Sequence, residues 1–235
     1  MNLLDIRSQL EEELTWRQDE IRFFHNQLSV MTTDEQKDCY RKALIVMLYS
    51  HYEGFCKTAF GIYADAINAE NLIIRVVNKY VAACSLDHVF LAYENRDKKN
   101  RIFKTKLPED GKLHRFARQV DFIETFNQFE DQTACISETI IDTEDNLKYI
   151  VLKKLLYRLG LDYDCFDEYH SNIEKLLGKR NNIAHGAQKT GVNEKDYNDI
   201  EKDAFDIMNG VIQIVMQALE EKQYLKQPDL SECVN

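Results

Sequence analysis

Residues 33–68 read TDEQKDCYRKALIVMLYSHYEGFCKTAFGIYADAIN. Thr33 stands three residues before Gln36, and Thr32 three before Glu35. Either pair can close the reciprocal side-chain-to-backbone bonds that start a helix. Beyond them Tyr40, Ala43, Leu44, Met47, Leu48, Phe55, Ala59, Ile62, Tyr63 and Ala66 recur at the spacing of one helical face. The pattern predicts one helix from about Asp34 to Asn68, long enough to be the spine of a bundle.

The segments on either side agree. Upstream, Leu3, Ile6, Leu10, Leu14, Ile21, Phe24 and Leu28 give an amphipathic helix from Leu3 to Val30. Residues 71–93 are apolar but irregular and suit one or two shorter helices. From Arg96 to Arg118 the chain carries nine basic residues against three acidic ones, with a turn at Pro108 and Gly111. This reads as a basic insertion, residues 94–118, built as a loop or short hairpin and followed by a helix to about Phe129. Ser137–Asp142 reads as an extended connector. Asp142 or Thr143 then caps a helix bearing Leu147, Ile150, Val151, Leu155 and Leu159, which Gly160 stops. Asp164 is placed to cap the next helix, with the stripe Phe166, Tyr169, Ile173, Leu176 and Leu177. The last helix starts near Asn193. The expected fold is all-α: an antiparallel helical bundle forming a single domain over residues 1–226, with residues 227–235 as a frayed tail. Two prolines and eight glycines suit long helices better than a turn-rich β protein.

Composition narrows the function. The net charge of −10 argues against coating nucleic acid by bulk electrostatics, though it leaves room for a local basic site. No apolar run approaches the roughly 18 residues of a membrane span, and the N-terminus is charged from Asp5 onward, unlike a secretory signal. The six cysteines are scattered, with no C-x-x-C pair and no histidine at ligand spacing. Reduced thiols in a cytoplasmic protein are expected, with no metal site and no cofactor.

One segment stands apart from this pattern: GKRNNIAHG, residues 178–186. At about 100° per residue, Arg180 falls in phase with Ile173, Leu176, Leu177 and Ile183. A charge on that face is costly unless it is paired or kept accessible in a cleft. His185 diverges from Arg180 by about 140° on a regular helix. Either the helix loosens before His185, or a second copy of the chain completes a shared cleft. Arginine with histidine suits phosphate chemistry. Histidine transfers protons near neutral pH, and guanidinium geometry matches the charge of a phosphorane-like transition state. Asn181 can orient either group. The plain structural reading also stands: Arg180 paired with a core carboxylate, and His185 meeting the last carbonyls of its helix.

Three segments together carry a resemblance. Arg180-Asn181-Asn182-Ile183-Ala184-His185 resembles the R-x(4–6)-H motif of the HEPN superfamily, including a polar residue after the arginine. His51-Tyr52-Glu53-Gly54-Phe55 resembles the H-aromatic-E-G-F stretch of one prokaryotic branch, with tyrosine where tryptophan is usual. Thr143-Glu144-Asp145-Asn146-Leu147 resembles its T-x-x-N-L entry into the helix before the motif. Their order fits the MAE-type HEPN branch across nearly the whole chain. The resemblance implies a homodimer in which two Arg/His sets form one cleft, and a metal-independent endoribonuclease of a toxin–antitoxin or phage-defence system. RNA would be its substrate and an antitoxin or defence protein a partner. It makes Arg180 and His185 catalytic and Asn181 supporting. Glu53 is then either a buried acid holding an arginine, with Arg180 a candidate, or a residue that supports catalysis; His51 is expected to support catalysis or to line the cleft. Arg96, Lys98, Lys99, Arg101, Lys104 and Lys106 are the candidates for RNA backbone contact, with Phe103 for stacking. The alternative is a non-catalytic HEPN module that binds nucleotide, RNA or a partner protein.

Overall fold

The computed structural model describes residues 1–95 and 111–227. Among these are eight α-helices and no strand: α1 (Leu3–Asn26), α2 (Asp34–Asn68), α3 (Lys79–Ser85), α4 (Asp87–Glu94), α5 (Gly111–Phe129), α6 (Tyr149–Arg158), α7 (His170–Ala184) and α8 (Glu194–Glu220). The fold is all-α, and α2 is its spine. Its start is the expected capping box, with Thr33 accepting from the Gln36 N–H and the Gln36 side chain reaching back to the cap. The buried side chains of α2 run around most of its circumference, from Leu44 through Tyr49, Tyr52, Phe55, Cys56 and Phe60 to Ile67. A helix buried on so many faces needs packing partners on several sides. These are α1, α7 and α8.

Ion pairs fix the directions. Arg41 near the start of α2 meets Glu194 at the start of α8, 3.4 Å away, so these two helices run alongside one another. Glu20 of α1 lies against His51, and the Met1 amino group reaches Glu70 beyond the end of α2, so α1 runs opposite to α2. Lys179 near the end of α7 pairs with Asp196 at the start of α8, 3.3 Å away. Helices α1 and α2 are thus antiparallel, as are α7 and α8, while α2 and α8 run parallel. Tyr49, Tyr52, Tyr63, Tyr197, Phe55 and Phe60 fill the centre, each with under 2 % of its surface exposed. Burial of such rings is the main favourable term holding helices together.

Several boundaries differ from expectation. Helix α1 stops at Asn26 and a 3₁₀ turn, Gln27–Val30, completes that segment. The connector after Ser137 contains a 3₁₀ turn at Glu138–Ile140. Neither Asp142 nor Thr143 caps α6, which starts only at Tyr149 with Lys148 as its cap residue. Asp142 instead accepts from the Glu144 N–H, and the Thr143 carbonyl accepts from Asn146, making a turn ahead of the helix. Asp164 does not cap α7; its carboxylate takes Lys153 at 2.7 Å, and a 3₁₀ turn at Asp167–Tyr169 leads into α7. Gly160 does end its segment with φ of 72°, and Asn193 does cap α8 by accepting from the Asp196 N–H. The Arg96–Lys106 candidates for RNA contact and residues 228–235 lie outside the described residues. Lys112, Arg115 and Arg118 belong to α5, because that helix already begins at Gly111.

Helices α4 and α5 pack on each other, and α4 also touches α3. Phe90, Phe116, Val120 and Ile123 remain exposed along a groove of about 500 Å³ between them. No helix among the described residues is long and apolar enough to cross a membrane. All described cysteines are free thiols. No three histidine, cysteine or acidic side chains among the described residues form a metal-binding group.

Candidate functional site

The core stripe of α7, Ile173, Leu176 and Leu177, carries Arg180 in the next turn to the edge of the core, where it is half-buried. Its guanidinium lies over the Tyr49 ring, 4.9 Å from the ring centre. Nη1 donates to Oδ1 of Asn146 at 3.1 Å and to Oδ1 of Asn181 at 2.8 Å. Among the described residues no carboxylate lies within ion-pair distance. The expected pairing of Glu53 with Arg180 is therefore not found. Glu53 lies one turn beyond Tyr49 on α2, beside the tyrosine hydroxyl. Burial, and then the Glu53 carboxylate, hold that phenol far above its ordinary pKa.

Tyr49 also anchors the turn that brings Asn146 in. Its hydroxyl oxygen accepts a buried hydrogen bond of 2.8 Å from the Leu147 N–H. In the turn, Glu144 (φ 50°) and Asp145 (φ 64°) both adopt the left-handed conformation. That costs roughly 1–2 kcal/mol for each L-residue. The three segments singled out in the sequence thus meet: Tyr49 and Glu53 from α2, Asn146 and Leu147 from the turn, and Arg180 and Asn181 from α7.

A family model covers most of the chain. The model described as HEPN_MAE_28990-like HEPN matches residues 6–224. The chain belongs to that HEPN family. No curated protein and no solved structure matches the chain.

In this HEPN chain α7 stays regular through Ala184, so the helix does not loosen before His185. His185 is the residue that caps it, with φ −88° and ψ 5°. Gly186 follows at φ 69°, a conformation that suits glycine, and the Gly186 and Ala187 N–H groups bond the carbonyls of Ile183 and Asn182. The His185 ring is exposed and makes no hydrogen bond or ion pair among the described residues, so it does not meet the last carbonyls of its helix. The segment behind it is held to the start of α2. Lys42 Nζ donates to the Gln188 carbonyl at 2.7 Å, and Val192 N–H to the Asp38 carbonyl at 2.9 Å. Gly191 passes so close that an added Cβ would stand 2.3 Å from Asp38 Cβ.

His51 does not join this group. It faces α1, edge-on to Trp16, with Nε2 3.0 Å from Glu20 Oε2 but outside hydrogen-bond geometry. Burial holds its pKa below the ordinary value of 6.5, against the pull of Glu20. Arg17 beside it is buried, bonded to Glu13 and stacked over Trp16 at 4.2 Å. The α1–α2 cluster is thus a packing device on a different side of α2 from Tyr49. Two members of the site went unassigned in the sequence reading. Tyr49 precedes the H-Y-E-G-F stretch, and Asn146 sits inside T-E-D-N-L. Their motif positions marked them, but nothing in the sequence pairs them with Arg180.

Proposed function

We propose that the chain is a metal-independent endoribonuclease that works as a homodimer, with Arg180 and His185 catalytic and Asn181 supporting. The observation that carries this reading is how Arg180 is held. Every partner of its guanidinium is neutral: one ring face and two amide oxygens. Nη1 is fully used, while the Nε and Nη2 edge has no acceptor among the described residues. That edge is the fork that grips a phosphate with two parallel bonds. A half-buried, unneutralised guanidinium is a cost to the fold that a bound anion offsets.

In the proposed reaction the 2′-hydroxyl oxygen attacks the adjacent phosphorus. The P–O5′ bond breaks, and a 2′,3′-cyclic phosphate and a 5′-hydroxyl result. The 2′-hydroxyl loses a proton to a base and the leaving 5′-oxygen gains one from an acid. His185 of the two copies would fill these roles. Arg180 would stabilise the charge on the non-bridging oxygens. A role in toxin–antitoxin or phage-defence systems, with an antitoxin or defence protein as partner, fits such a nuclease. Membership of the HEPN family, many of whose members cleave RNA, supports the reading.

A second reading is a non-catalytic HEPN module that binds RNA, nucleotide or a partner protein. One observation favours it: among the described residues nothing fixes the tautomer or direction of the His185 ring, as a general base needs. The test is incubation of wild type and His185→Ala with total RNA in excess EDTA. Cleavage by wild type alone, leaving 2′,3′-cyclic phosphate ends, supports the nuclease. A folded dimeric wild type that cleaves nothing supports the binding module.

A further inference from the structure

We infer that Asn146 is a positioning residue for Arg180, and that the Thr143–Leu147 turn is shaped to deliver it; the cleavage arm of the test rests on the nuclease reading above. A guanidinium has five donors and is planar, so its direction is set once its plane and one edge are fixed. Tyr49 fixes the plane from one face at 4.9 Å. Asn181 and Asn146 take the two N–H groups of Nη1, at 2.8 and 3.1 Å. Asn181 is the neighbouring residue on the same helix and moves with Arg180. Asn146 comes from a different segment, so among the described residues it is the acceptor that references the guanidinium edge to the rest of the fold.

The turn bears the marks of that demand. Two consecutive non-glycine residues, Glu144 and Asp145, are held left-handed. The strain is locked at both ends, by Asp142 accepting from the Glu144 N–H at 2.9 Å and by Leu147 N–H bonding Tyr49 at 2.8 Å. Within it the Thr143 carbonyl accepts from the Asn146 N–H at 3.0 Å, and the Asn146 carbonyl accepts from Lys148 at 2.8 Å. Strain of this kind persists only where the surrounding structure over-determines the geometry. The acids of the turn are kept off the guanidinium. Glu144 is engaged by Lys154 at 2.8 Å, and the side chain that touches Arg180 is the amide. An amide oxygen aligns the cation without cancelling its charge. A carboxylate at the same atom would align it and cancel it.

That contrast gives the test. Wild type, Asn146→Ala and Asn146→Asp are compared in two assays on the intact protein. The first is titration with inorganic phosphate, followed at the Arg180 Nε–H resonance by NMR. The second is RNA cleavage, with kcat separated from KM. Positioning predicts that Asn146→Ala weakens phosphate binding roughly tenfold and lowers kcat roughly tenfold to a hundredfold. It also predicts that Asn146→Asp is worse than Asn146→Ala in both assays. A role confined to holding the turn predicts the reverse order, because Asp keeps the Oδ1 acceptor, and that order overturns the inference. Unchanged phosphate affinity and an unmoved Arg180 resonance in Asn146→Ala also overturn it. Should wild type cleave no RNA, the nuclease reading falls, while the phosphate titration still decides the role of Asn146. Circular dichroism confirms that each variant is folded before it is scored.

Discussion

Tyr49 and Tyr52 stand one turn apart on α2, with ring centres 6.2 Å apart, exposed by 1 % and 0 %. Removing the hydroxyl from each is the same chemical change, yet the structure predicts opposite results. The Tyr49 oxygen accepts from the buried Leu147 N–H at 2.8 Å. Tyr49→Phe leaves that N–H without a partner, which costs about 1–3 kcal/mol. The Tyr52 hydroxyl has no hydrogen-bond partner among the described residues. Tyr52→Phe discards only a buried polar group, so stability is expected to be unchanged or higher by up to about 1 kcal/mol. In a chain of this size 1 kcal/mol moves Tm by roughly 2–4 °C. Tyr49→Phe should therefore melt about 2–12 °C lower than wild type, and Tyr52→Phe within a few degrees above it. Thermal and urea unfolding followed by circular dichroism would measure both. If Tyr52→Phe loses as much as Tyr49→Phe, the assignment of hydrogen bonds at the base of the site is wrong.

Other expectations follow from single features. Gly61→Ala lies inside α2 with nothing within 4 Å of the added methyl, so it should raise stability by about 0.5–1 kcal/mol in urea melts. Gly191→Ala should cost about 1–3 kcal/mol, since the methyl would overlap Asp38, and proteolysis should find the 186–193 segment loosened. Asp145→Gly should stabilise by about 1 kcal/mol by relieving a left-handed residue, an outcome that a lower urea midpoint would refute. His51 is held neutral by burial, with Arg17 adding to the effect and Glu20 opposing it, so below pH 6.5 the unfolded chain binds a proton that the folded chain does not. Stability should fall as pH drops through 6.5 and level off below the folded pKa. His51→Gln should flatten that slope in urea midpoints at pH 7.5 and 5.5; an equal slope in both proteins would contradict the burial of His51.

Much of the fold was legible because periodicity reports burial. The limits of α2, the capping box at Thr33 and the stop at Gly160 are local chemistry that a sequence displays. The start of α6 was not legible, because Asp142 and Thr143 are good cap residues that tertiary contacts turned to another use. The Leu147 N–H goes to a tyrosine 98 positions away in the chain, and no local pattern carries that bond. The same limit applies at the site. Arg180 was visible as a charge in phase with apolar residues. The expected carboxylate partner was the generic solution for such a charge. The actual solution, an aromatic face and two amides, needed the three-dimensional meeting of segments that the sequence shows only as separate motifs.

The order of elements along α2 also has a consequence in time. Its long neighbour α8 is the last long helix of the described chain, and the two run side by side from Arg41 and Glu194 onward. During synthesis the segments bearing Tyr49, Asn146 and Arg180 emerge before α8 exists. Until α8 arrives, α2 lacks its packing partner on that side. The anion site proposed above is therefore framed on every side only after α8 has been made.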